Sequence, residues 1–240
     1  MSAPLKAIVT GHSRGLGAAI AAELAAAGAE VLAISRRASG AAGLKEVALD
    51  LSDSAALADW LGSGALSDFL AGAGEVVLVN NAGMVDPIGP AGSNAPGAVA
   101  TAVALNVAAP LMLAEAVIAA RAGATPLRIC HISSGAARNA YAGWSVYCAT
   151  KAALDHHAAC VLADALPEVR IESLAPGVVD TDMQGTIRAT PEARFTSRAR
   201  FVALKEDGAL ASPAAAGAKI AAHLLSPGFG ETIATDIRNL

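Results

Sequence analysis

The sequence predicts one α/β domain built on a parallel, doubly wound sheet, and two observations support this prediction. Short apolar runs of strand length alternate with Ala-rich helical stretches along the whole chain. The first run, Ala7-Ile8-Val9-Thr10, leads directly into a glycine-rich segment, Gly11–Gly17, and then into a helical pattern. A strand, a glycine turn and a helix in this order are typical of a phosphate-binding site.

The strands and helices follow one another in chain order. Apolar, partly β-branched runs predict seven strands, at Ala7–Thr10, Val31–Ile34, Glu46–Leu49, Glu75–Val79, Leu127–Ile132, Val169–Leu174 and Thr232–Ile237. Cap and breaker residues predict the helix boundaries, with an end at Gly28, a cap at Ser52 or Asp53, a long helix from Tyr147 to about Leu166, and starts at Thr190-Pro191 and Ser212-Pro213. Residues 84–97 are rich in Pro and Gly and predict a loop.

The composition limits the class of protein. Charged residues are 16% of the 240, and the formal net charge is −4. A nucleic-acid-binding surface would need a basic face, so we expect no nucleic-acid partner. The three cysteines, Cys130, Cys148 and Cys160, form neither a disulfide framework nor a metal-binding C-x-x-C pair. We therefore expect a reducing, cytoplasmic compartment and no metal site.

No membrane span is predicted. The first six residues contain no apolar core of signal-peptide length. The apolar run closest to spanning length, Ala95–Leu113, contains Asn106, Pro96 and Pro110. A buried Asn in such a run needs polar partners, so Asn106 is either structural or holds a water.

The glycine segment and the end of the second strand together predict the cofactor. The spacing Gly11-x-x-x-Gly15-x-Gly17 lets backbone N–H groups approach a pyrophosphate at a helix N-terminus. The second strand ends in Ser35-Arg36-Arg37 and carries no acid that would hold the ribose diol of NAD. Guanidinium groups, with that of Arg14 beside them, suit the 2′-phosphate of NADP instead. The alternative is that Arg36 and Arg37 are solvated loop residues.

Polar residues follow three further strands, at the edge where parallel sheets bind ligands. Asp50-Leu51 follows the third strand, where Asp50 either touches an adenine or only closes a turn. Asn80-Asn81-Ala82-Gly83 follows the fourth strand, and Ser133-Ser134 follows the fifth.

Tyr147 and Lys151 stand four residues apart, so a helix places both side chains on one face. The pKa of a phenol is near ~10, and a close ammonium lowers it. The pair therefore suits a proton donor near neutral pH. Taken alone it is better explained as a surface Tyr over a Lys stem, and the surrounding motifs decide against that interpretation.

These motifs occur in the order and spacing of the short-chain dehydrogenase/reductase family, which the chain resembles over nearly its whole length. The resemblance implies a single Rossmann-type domain over residues 1–240, with a cofactor half at about 1–105 and a catalytic and substrate half at about 106–240. It implies a nicotinamide cofactor, which the end of the second strand predicts to be NADP(H), and a catalytic tetrad of Asn106, Ser134, Tyr147 and Lys151. The cofactor-binding residues that it implies are Gly11, Ser13, Arg14, Gly15, Leu16, Gly17, Arg36, Arg37, Asp50, Leu51, Asn81, Ala82, Gly83, Tyr147, Lys151, Pro176, Gly177, Val179, Thr181 and Met183.

The family's chemistry assigns a role to each member of the tetrad. Ser134, chosen over Ser133 for its family spacing to Tyr147, donates a hydrogen bond to the substrate carbonyl. Tyr147 supplies the proton, Lys151 lowers the pKa of Tyr147 and holds the cofactor ribose, and Asn106 holds a water.

Two short segments narrow the resemblance. Gly143-Trp144-x-x-Tyr147-Cys148 and Asp180–Gln184 are similar to sepiapterin reductase and to bacterial benzil-reductase-like members. This implies a vicinal dicarbonyl or a pterin side chain as substrate, bound by Ser134, Trp144, Tyr147 and Asp236. The Trp144 ring would stack on a flat ligand, and Asp236 would anchor a pterin or simply end the last strand.

The segment 184–211 is expected to cover the substrate pocket. Its arginines either meet an anionic substrate or lie on a solvated helix face. The predicted function is NADPH-dependent reduction of a small-molecule ketone by a homodimer or homotetramer. The alternative is a non-catalytic NADP(H)-binding sensor or assembly protein on the same fold, against which the intact tetrad argues.

Overall fold

The computed structural model describes residues 3–240, and its sheet confirms the predicted architecture. All seven strands are parallel and lie in the order β3-β2-β1-β4-β5-β6-β7. The strands are β1 (Leu5–Thr10), β2 (Glu30–Ser35), β3 (Leu44–Ala48), β4 (Glu75–Asn80), β5 (Leu127–Ile132), β6 (Val169–Ala175) and β7 (Ala234–Asp236). The strand order reverses between β1 and β4, and ligands of such sheets bind in the crevice at this switch point.

Helices cover both faces of the sheet. Within residues 3–240 they are α1 (Gly15–Ala26), α2 (Ser54–Gly62), α3 (Ala65–Leu70), α4 (Pro96–Val103), α5 (Ala109–Ala120), α6 (Ser145–Ala163), α7 (Asp182–Ala189), α8 (Arg198–Glu206) and α9 (Pro213–Leu224). One apolar layer packs α1 and α9 on the sheet through residues such as Ile20 and Ile220. The opposite layer packs α2, α3, α5 and α6 through residues such as Leu57 and Leu113. Burial of apolar side chains on both faces is what a parallel sheet requires.

Residues 96–120 form one long helix that widens where Asn106 lies. Between α4 and α5 the chain makes a π-helical turn, Ala104–Ala108. Pro110 has no N–H to donate to the carbonyl of Asn106, so the turn lies where an α-helical hydrogen bond is missing. The apolar run around Asn106 gave no indication of this turn in the sequence.

The same helix, Pro96–Ala120, is long and apolar enough to cross a membrane, judged by its length and composition alone. The core helix of a soluble protein can have the same length and composition, so these two properties are weak evidence for a membrane span. Asn106 is 1% exposed on this helix, and Leu113 and Val117 lie in the domain core. These contacts are those of a core helix.

A third apolar cluster joins the loops at the carboxyl ends of the strands. Its aromatic members are Trp144, Tyr147, Phe195 and Phe201. Two come from the start of α6 and two from the segment after β6, so this cluster fixes that segment against the start of α6.

Two helix predictions were wrong. Thr190 ends α7 instead of starting a helix, and the chain makes only one further turn before Phe195, which is fully buried in the third cluster. As a result three helices, not two, follow β6 in the described chain. The long helix α6 ends at Ala163, earlier than expected, because Ala165 adopts a positive φ of 50°.

Gly217 provides a test of the α1–α9 contact. A Cβ added there would lie 2.6 Å from the Cβ of Ala19 and 3.0 Å from its carbonyl carbon. We expect Gly217→Ala to push the helices apart and to lower the free energy of unfolding by ~1–3 kcal/mol. Gly185→Ala on α7 is the control, because nothing lies within 4 Å of the added Cβ, and it should raise that free energy by up to ~1 kcal/mol. Urea unfolding measures both; a neutral Gly217→Ala would contradict the packing argument.

Candidate active site

The glycine segment lies against the loop that follows β4. Gly11 has a φ of 70°, and a Cβ there would lie 2.9 Å from the Cα of Ala82. A Cβ on Gly17 would overlap the Gly11 carbonyl oxygen and the Asn81 side-chain nitrogen. The Thr10 hydroxyl accepts hydrogen bonds from the N–H groups of Asn81 and Ala82, both at 2.9 Å. These contacts hold the ends of β1 and β4 too close together for any residue but glycine at positions 11 and 17.

α1 begins with backbone N–H groups that no side chain caps. Arg14 occupies the N-cap position, and its side chain makes no capping hydrogen bond. Such N–H groups and the helix dipole favour a phosphate. A Cβ on Gly15 would lie 3.3 Å from Cγ2 of Thr181, so the loop after β6 borders the same helix start. The structure thus brings together the predicted pyrophosphate-binding residues from three loops.

Two predicted cofactor residues have core side chains. Leu51 is 3% exposed and packs under β2 and β4, and Val179 is 6% exposed and packs with α1 and α9. The other members of the β6 loop, Pro176, Gly177 and Met183, are partly exposed at the crevice edge. Because both side chains fill the core, we expect Leu51 and Val179 to contact the cofactor through their backbone, and their cofactor-binding role stays a prediction.

Asn106 connects the π-helical turn to the loop after β4 and to α6. Its Oδ1 accepts from the Met84 N–H at 2.9 Å, and its Nδ2 donates to the Met84 carbonyl at 2.8 Å. The same Nδ2 lies 3.1 Å from the Thr150 hydroxyl, which in turn donates to the Tyr147 carbonyl at 2.9 Å. The side-chain amide is thus satisfied by protein groups, which gives Asn106 a structural role. That Asn106 also holds a water stays a prediction.

Lys151 is buried beside Tyr147 on one face of α6, as predicted. Its Nζ donates to the Ile132 carbonyl at 2.8 Å and lies 5.9 Å from the centre of the Tyr147 ring. A Cβ on Gly83 would lie 3.3 Å from Oδ1 of Asn106 and 3.5 Å from Nζ of Lys151. The absence of a side chain at Gly83 therefore leaves room for the side-chain ends of Asn106 and Lys151.

The protein environment alone does not lower the pKa of Tyr147. Burial raises the pKa of Tyr147 to about 12, while the Ser134 hydroxyl acts in the opposite direction. Burial also lowers the pKa of Lys151 to about 8, against the attraction of Asp155. Here desolvation outweighs the ammonium, which is bonded to the Ile132 carbonyl. That Lys151 and a bound cofactor together lower the pKa of Tyr147 stays a prediction.

The two serines after β5 have different partners. The Ser133 hydroxyl donates to Oδ1 of Asp155 at 2.7 Å and is 3% exposed. Ser134 Oγ accepts from the Ala136 N–H at 3.1 Å, which leaves its hydroxyl hydrogen for another acceptor. Ser134 thus keeps a donor that Ser133 uses internally.

Asp155 is a residue of the site that sequence reasoning missed. Its Oδ1 also accepts from the Ser173 hydroxyl at 2.6 Å, and its Oδ2 accepts from Nε of Arg138 at 2.8 Å. It therefore ties α6 to β5, to β6 and to the turn after Ser134. Its spacing of four residues from Lys151, on the same helix face, was the available signal.

The arginines predicted for the 2′-phosphate lie on the surface. Arg36 and Arg37 are exposed at the end of β2, and Arg36 favours the charged form of Asp50, whose pKa is lowered mainly by the Ser52 hydroxyl. Asp50 accepts from the Ser52 N–H and hydroxyl, so it closes a turn. Arg14 instead reaches the first turn of α7, where its Nη1 lies 2.6 Å from Oδ2 of Asp182.

Trp144 does not offer its ring face to a ligand. Trp144 is 4% exposed, stacks on Phe195 with ring centres 4.5 Å apart, and meets the edge of Tyr147 at 5.3 Å. The prediction of a stacking platform was wrong, because Phe195, far along the chain, already covers that ring. Trp144 supports the Tyr147 ring instead.

Asp236 is also engaged within the protein. Its carboxylate accepts from Nε and Nη2 of Arg238 at 2.8 and 2.6 Å and from the Arg238 N–H at 3.0 Å. These bonds lower the pKa of Asp236. The prediction that it anchors a pterin is not supported by this geometry, since a ligand would have to displace a bidentate guanidinium.

The arginines of the segment 184–211 mostly bond to the protein. Arg194 donates to the Ile88 carbonyl, and Arg198 donates to the Arg188 carbonyl. Arg200 reaches the Tyr141 hydroxyl at 3.2 Å. Arg194 and Arg200 thus connect the segment 184–211 to its surroundings, whereas Arg198 bonds within it.

Comparisons with known proteins agree with the geometry. A model of the short-chain dehydrogenase family matches residues 6–192. The chain belongs to the short-chain dehydrogenase family. It is accordingly an oxidoreductase of a family that uses NAD(P).

Individual relatives narrow the position of this short-chain dehydrogenase within the family. A benzil reductase ((S)-benzoin forming) of Bacillus cereus is 36% identical over 86% of this chain and 88% of its own length. A sepiapterin reductase of Meriones unguiculatus is 34% identical over 85% and 84%. A short-chain dehydrogenase/reductase of Burkholderia vietnamiensis, known from a crystal structure, is 47% identical over the whole of both chains, with a TM-score of 0.72. These relatives confirm the two narrower resemblances.

The buried ammonium of Lys151 should cost stability. Because its pKa in the folded protein is about 8, below the unfolded value, the unfolded state binds the extra proton between pH 8 and 10.5. Stability should rise across that window, and below it the full penalty is present. We expect Lys151→Met, without added cofactor, to raise the free energy of unfolding at pH 7 by ~1–2 kcal/mol and to remove that rise.

Lys205→Met is the control for this substitution. Lys205 is about half exposed and pairs with Asp180 at 2.6 Å, and exposed pairs contribute ~0–1 kcal/mol. Urea unfolding at pH 7 and pH 10 gives both values. A Lys151→Met protein that is less stable than the wild type at pH 7 would contradict the assignment of a desolvated charge.

Proposed function

We propose that the protein is an NADPH-dependent reductase of ketones activated by a neighbouring carbonyl. The observation that carries the proposal is the convergence of Ser134, Tyr147 and Lys151 at the carboxyl end of β5. The Asn106 amide is hydrogen-bonded to Thr150 of α6, the helix that carries Tyr147 and Lys151. A protein that only binds a nucleotide does not need a buried phenol beside a buried ammonium and a serine with a free donor.

The described residues fit a bound dinucleotide. Gly11 and Gly17 allow the glycine segment to pack closely on the loop after β4, and the uncapped start of α1 suits a pyrophosphate. Lys151 and Tyr147 would hold the ribose next to the nicotinamide, and Gly83 leaves the space beside Lys151. When bound, the nicotinamide supplies a hydride to the substrate carbonyl carbon.

Each residue of the site has a defined task. The Ser134 hydroxyl donates to the carbonyl oxygen as negative charge develops on it. Tyr147 remains protonated at neutral pH, because burial raises its pKa to about 12, so it is a proton donor for the reduction direction. Lys151 steers the Tyr147 hydroxyl and carries charge next to it. Asn106 holds the π-helical turn against α6 through its hydrogen bond to Thr150.

A vicinal diketone is the substrate class that we favour. Two of the relatives named above are a benzil reductase and a sepiapterin reductase by name. Asp236, the residue expected to hold a pterin, is bonded to Arg238 instead. The third apolar cluster, which contains Trp144 and Tyr147, also gives the site an apolar wall that suits a flat, uncharged ligand.

We further propose a cytoplasmic homodimer or homotetramer without a membrane or nucleic-acid partner. Val103 on α4 and Leu162 on α6 are 43% and 40% exposed, and both belong to the helices that carry the site. Burial of these side chains against a second copy would stabilise both helices.

The first prediction from this proposal concerns the cofactor. Arg36 and Arg37 are exposed at the end of β2, and the strand end Ser35-Arg36-Arg37 contains no acid. Charged hydrogen bonds to a 2′-phosphate contribute ~1.5–3 kcal/mol each, so kcat/KM should favour NADPH over NADH by at least ~10-fold. Arg36→Ala should reduce this ratio several-fold, whereas Lys219→Ala on α9 should not. Equal kcat/KM values for the two cofactors in the wild type would disprove the preference.

The second prediction concerns the proton donor. Tyr147→Phe should retain NADPH binding, because the ring still packs between Trp144 and Lys151, and should lose at least ~100-fold in kcat. Tyr141→Phe is the matched control, since Tyr141 is the other tyrosine of the chain. Steady-state kinetics with benzil and a fluorescence titration with NADPH separate the two effects. If Tyr147→Phe kept a tenth of the wild-type kcat, the assignment would be wrong.

A further inference from the structure

Glu46 on β3 is the centre of a hydrogen-bond cluster outside the catalytic residues. Its Oε1 lies 2.6 Å from Nε2 of His12 and accepts from the N–H and the hydroxyl of Ser39, both at 2.6 Å. Its Oε2 accepts from the Gly40 N–H at 2.9 Å. One carboxylate thus receives four close contacts from two different loops.

The two loops are those that border the nucleotide end of the crevice. His12 belongs to the glycine segment between β1 and α1, and its side chain is buried. Ser39 and Gly40 belong to the segment between β2 and β3, directly after Arg36 and Arg37. Within residues 3–240, no backbone hydrogen bond joins residues 36–43 to residues 12–14. Glu46 is therefore the polar connection between these loops.

A cleft lies between the same two segments. It has a volume of about 290 Å³, and its lining includes His12, Ser13, Ser39 and Ala41. Residues 36–43 contain no regular secondary structure and are exposed. Without the carboxylate this segment would have few contacts to define its position, and a flexible loop loses affinity through the entropy of ordering.

The carboxylate stays ionised at any pH at which the protein works. The hydroxyl and N–H of Ser39 are the main causes that lower the pKa of Glu46 to about 2, with His12 next. Its charge is directed at these donors. Within residues 3–240, no hydrogen bond or ion pair joins it to Arg36 or Arg37. Its effect on a bound phosphate is thus a balance between repulsion through solvent and the ordering of the loop.

We propose that Glu46 is a positioning residue for cofactor selection: it holds the segment after β2 on the glycine loop so that Arg36 and Arg37 meet the 2′-phosphate of NADPH. This inference rests on the NADPH preference proposed above. It assigns the ordering effect as the larger one, because four short contacts fix the segment, while repulsion across solvent is screened within about 8 Å at physiological salt.

The test is the affinity of Glu46→Gln for three probes, measured by calorimetry without substrate: NADPH, NADH and 2′,5′-ADP. We expect NADPH and 2′,5′-ADP to bind at least ~5-fold more weakly and NADH to change less than ~2-fold. Glu30→Gln is the matched control, since it removes the same charge from the neighbouring strand β2, where Glu30 only meets Lys45 at 3.4 Å. It should leave all three affinities unchanged.

Ser39→Ala gives a second, milder variant should Glu46→Gln fail to fold. It removes one of the four contacts and should weaken NADPH and 2′,5′-ADP by ~2-fold or more, again sparing NADH. Tighter NADPH binding by Glu46→Gln would mean that repulsion dominates, and tighter binding by Ser39→Ala would mean that this contact does not help to order the segment; either result would overturn the inference. Equal losses for NADPH and NADH, or no change, would overturn it too.

The wild-type affinities separate this inference from the proposed function. If the wild type binds NADPH and NADH equally, the proposed cofactor preference fails, and the inference fails with it. If the wild type prefers NADPH and Glu46→Gln keeps the whole preference, the inference alone fails.

Discussion

The site depends on the burial of one ammonium group. Lys151 is 5% exposed in the middle of α6, bonded to the Ile132 carbonyl and one helical turn from Asp155. Desolvation of a charge is costly, and this position persists only because β5, β6 and α6 are fixed around it by other contacts. The serine pair Ser133 and Ser173, both held by Asp155, makes that fixation possible.

This constraint explains why the two halves of the site have different physical characters. At the catalytic end, burial controls protonation, so that the pKa of Tyr147 rises while that of Lys151 falls. A bound positive nicotinamide or a developing oxyanion would change the charge balance there, which ties proton transfer to the redox step. At the end where we propose that the nucleotide binds, the chain has close backbone contacts at Gly11 and Gly17 and exposed charges at Arg36 and Arg37.

The sequence predicted what depends on local pattern. The seven strands follow from apolar runs, and Ser212 caps α9 through the Ala215 N–H as its position before a proline suggested. Misses came from contacts between distant segments. Thr190-Pro191 has the same local signal as Ser212-Pro213, but burial of Phe195 decides its conformation. The same ring covers Trp144, which a local pattern cannot indicate. The Asp236 prediction is the exception, because the Arg238 that holds its carboxylate lies only two residues further along the chain.

Isotope transfer tests the central claim, that this chain passes hydride directly to a vicinal dicarbonyl. The protein is incubated with benzil and NADPH deuterated at C4 of the nicotinamide, and the quenched product is analysed by mass spectrometry and NMR. The account predicts benzoin with one deuterium on the carbinol carbon, and unlabelled carbinol carbon when ordinary NADPH is used in heavy water. Absence of benzoin, or a carbinol hydrogen that comes from solvent, would contradict it.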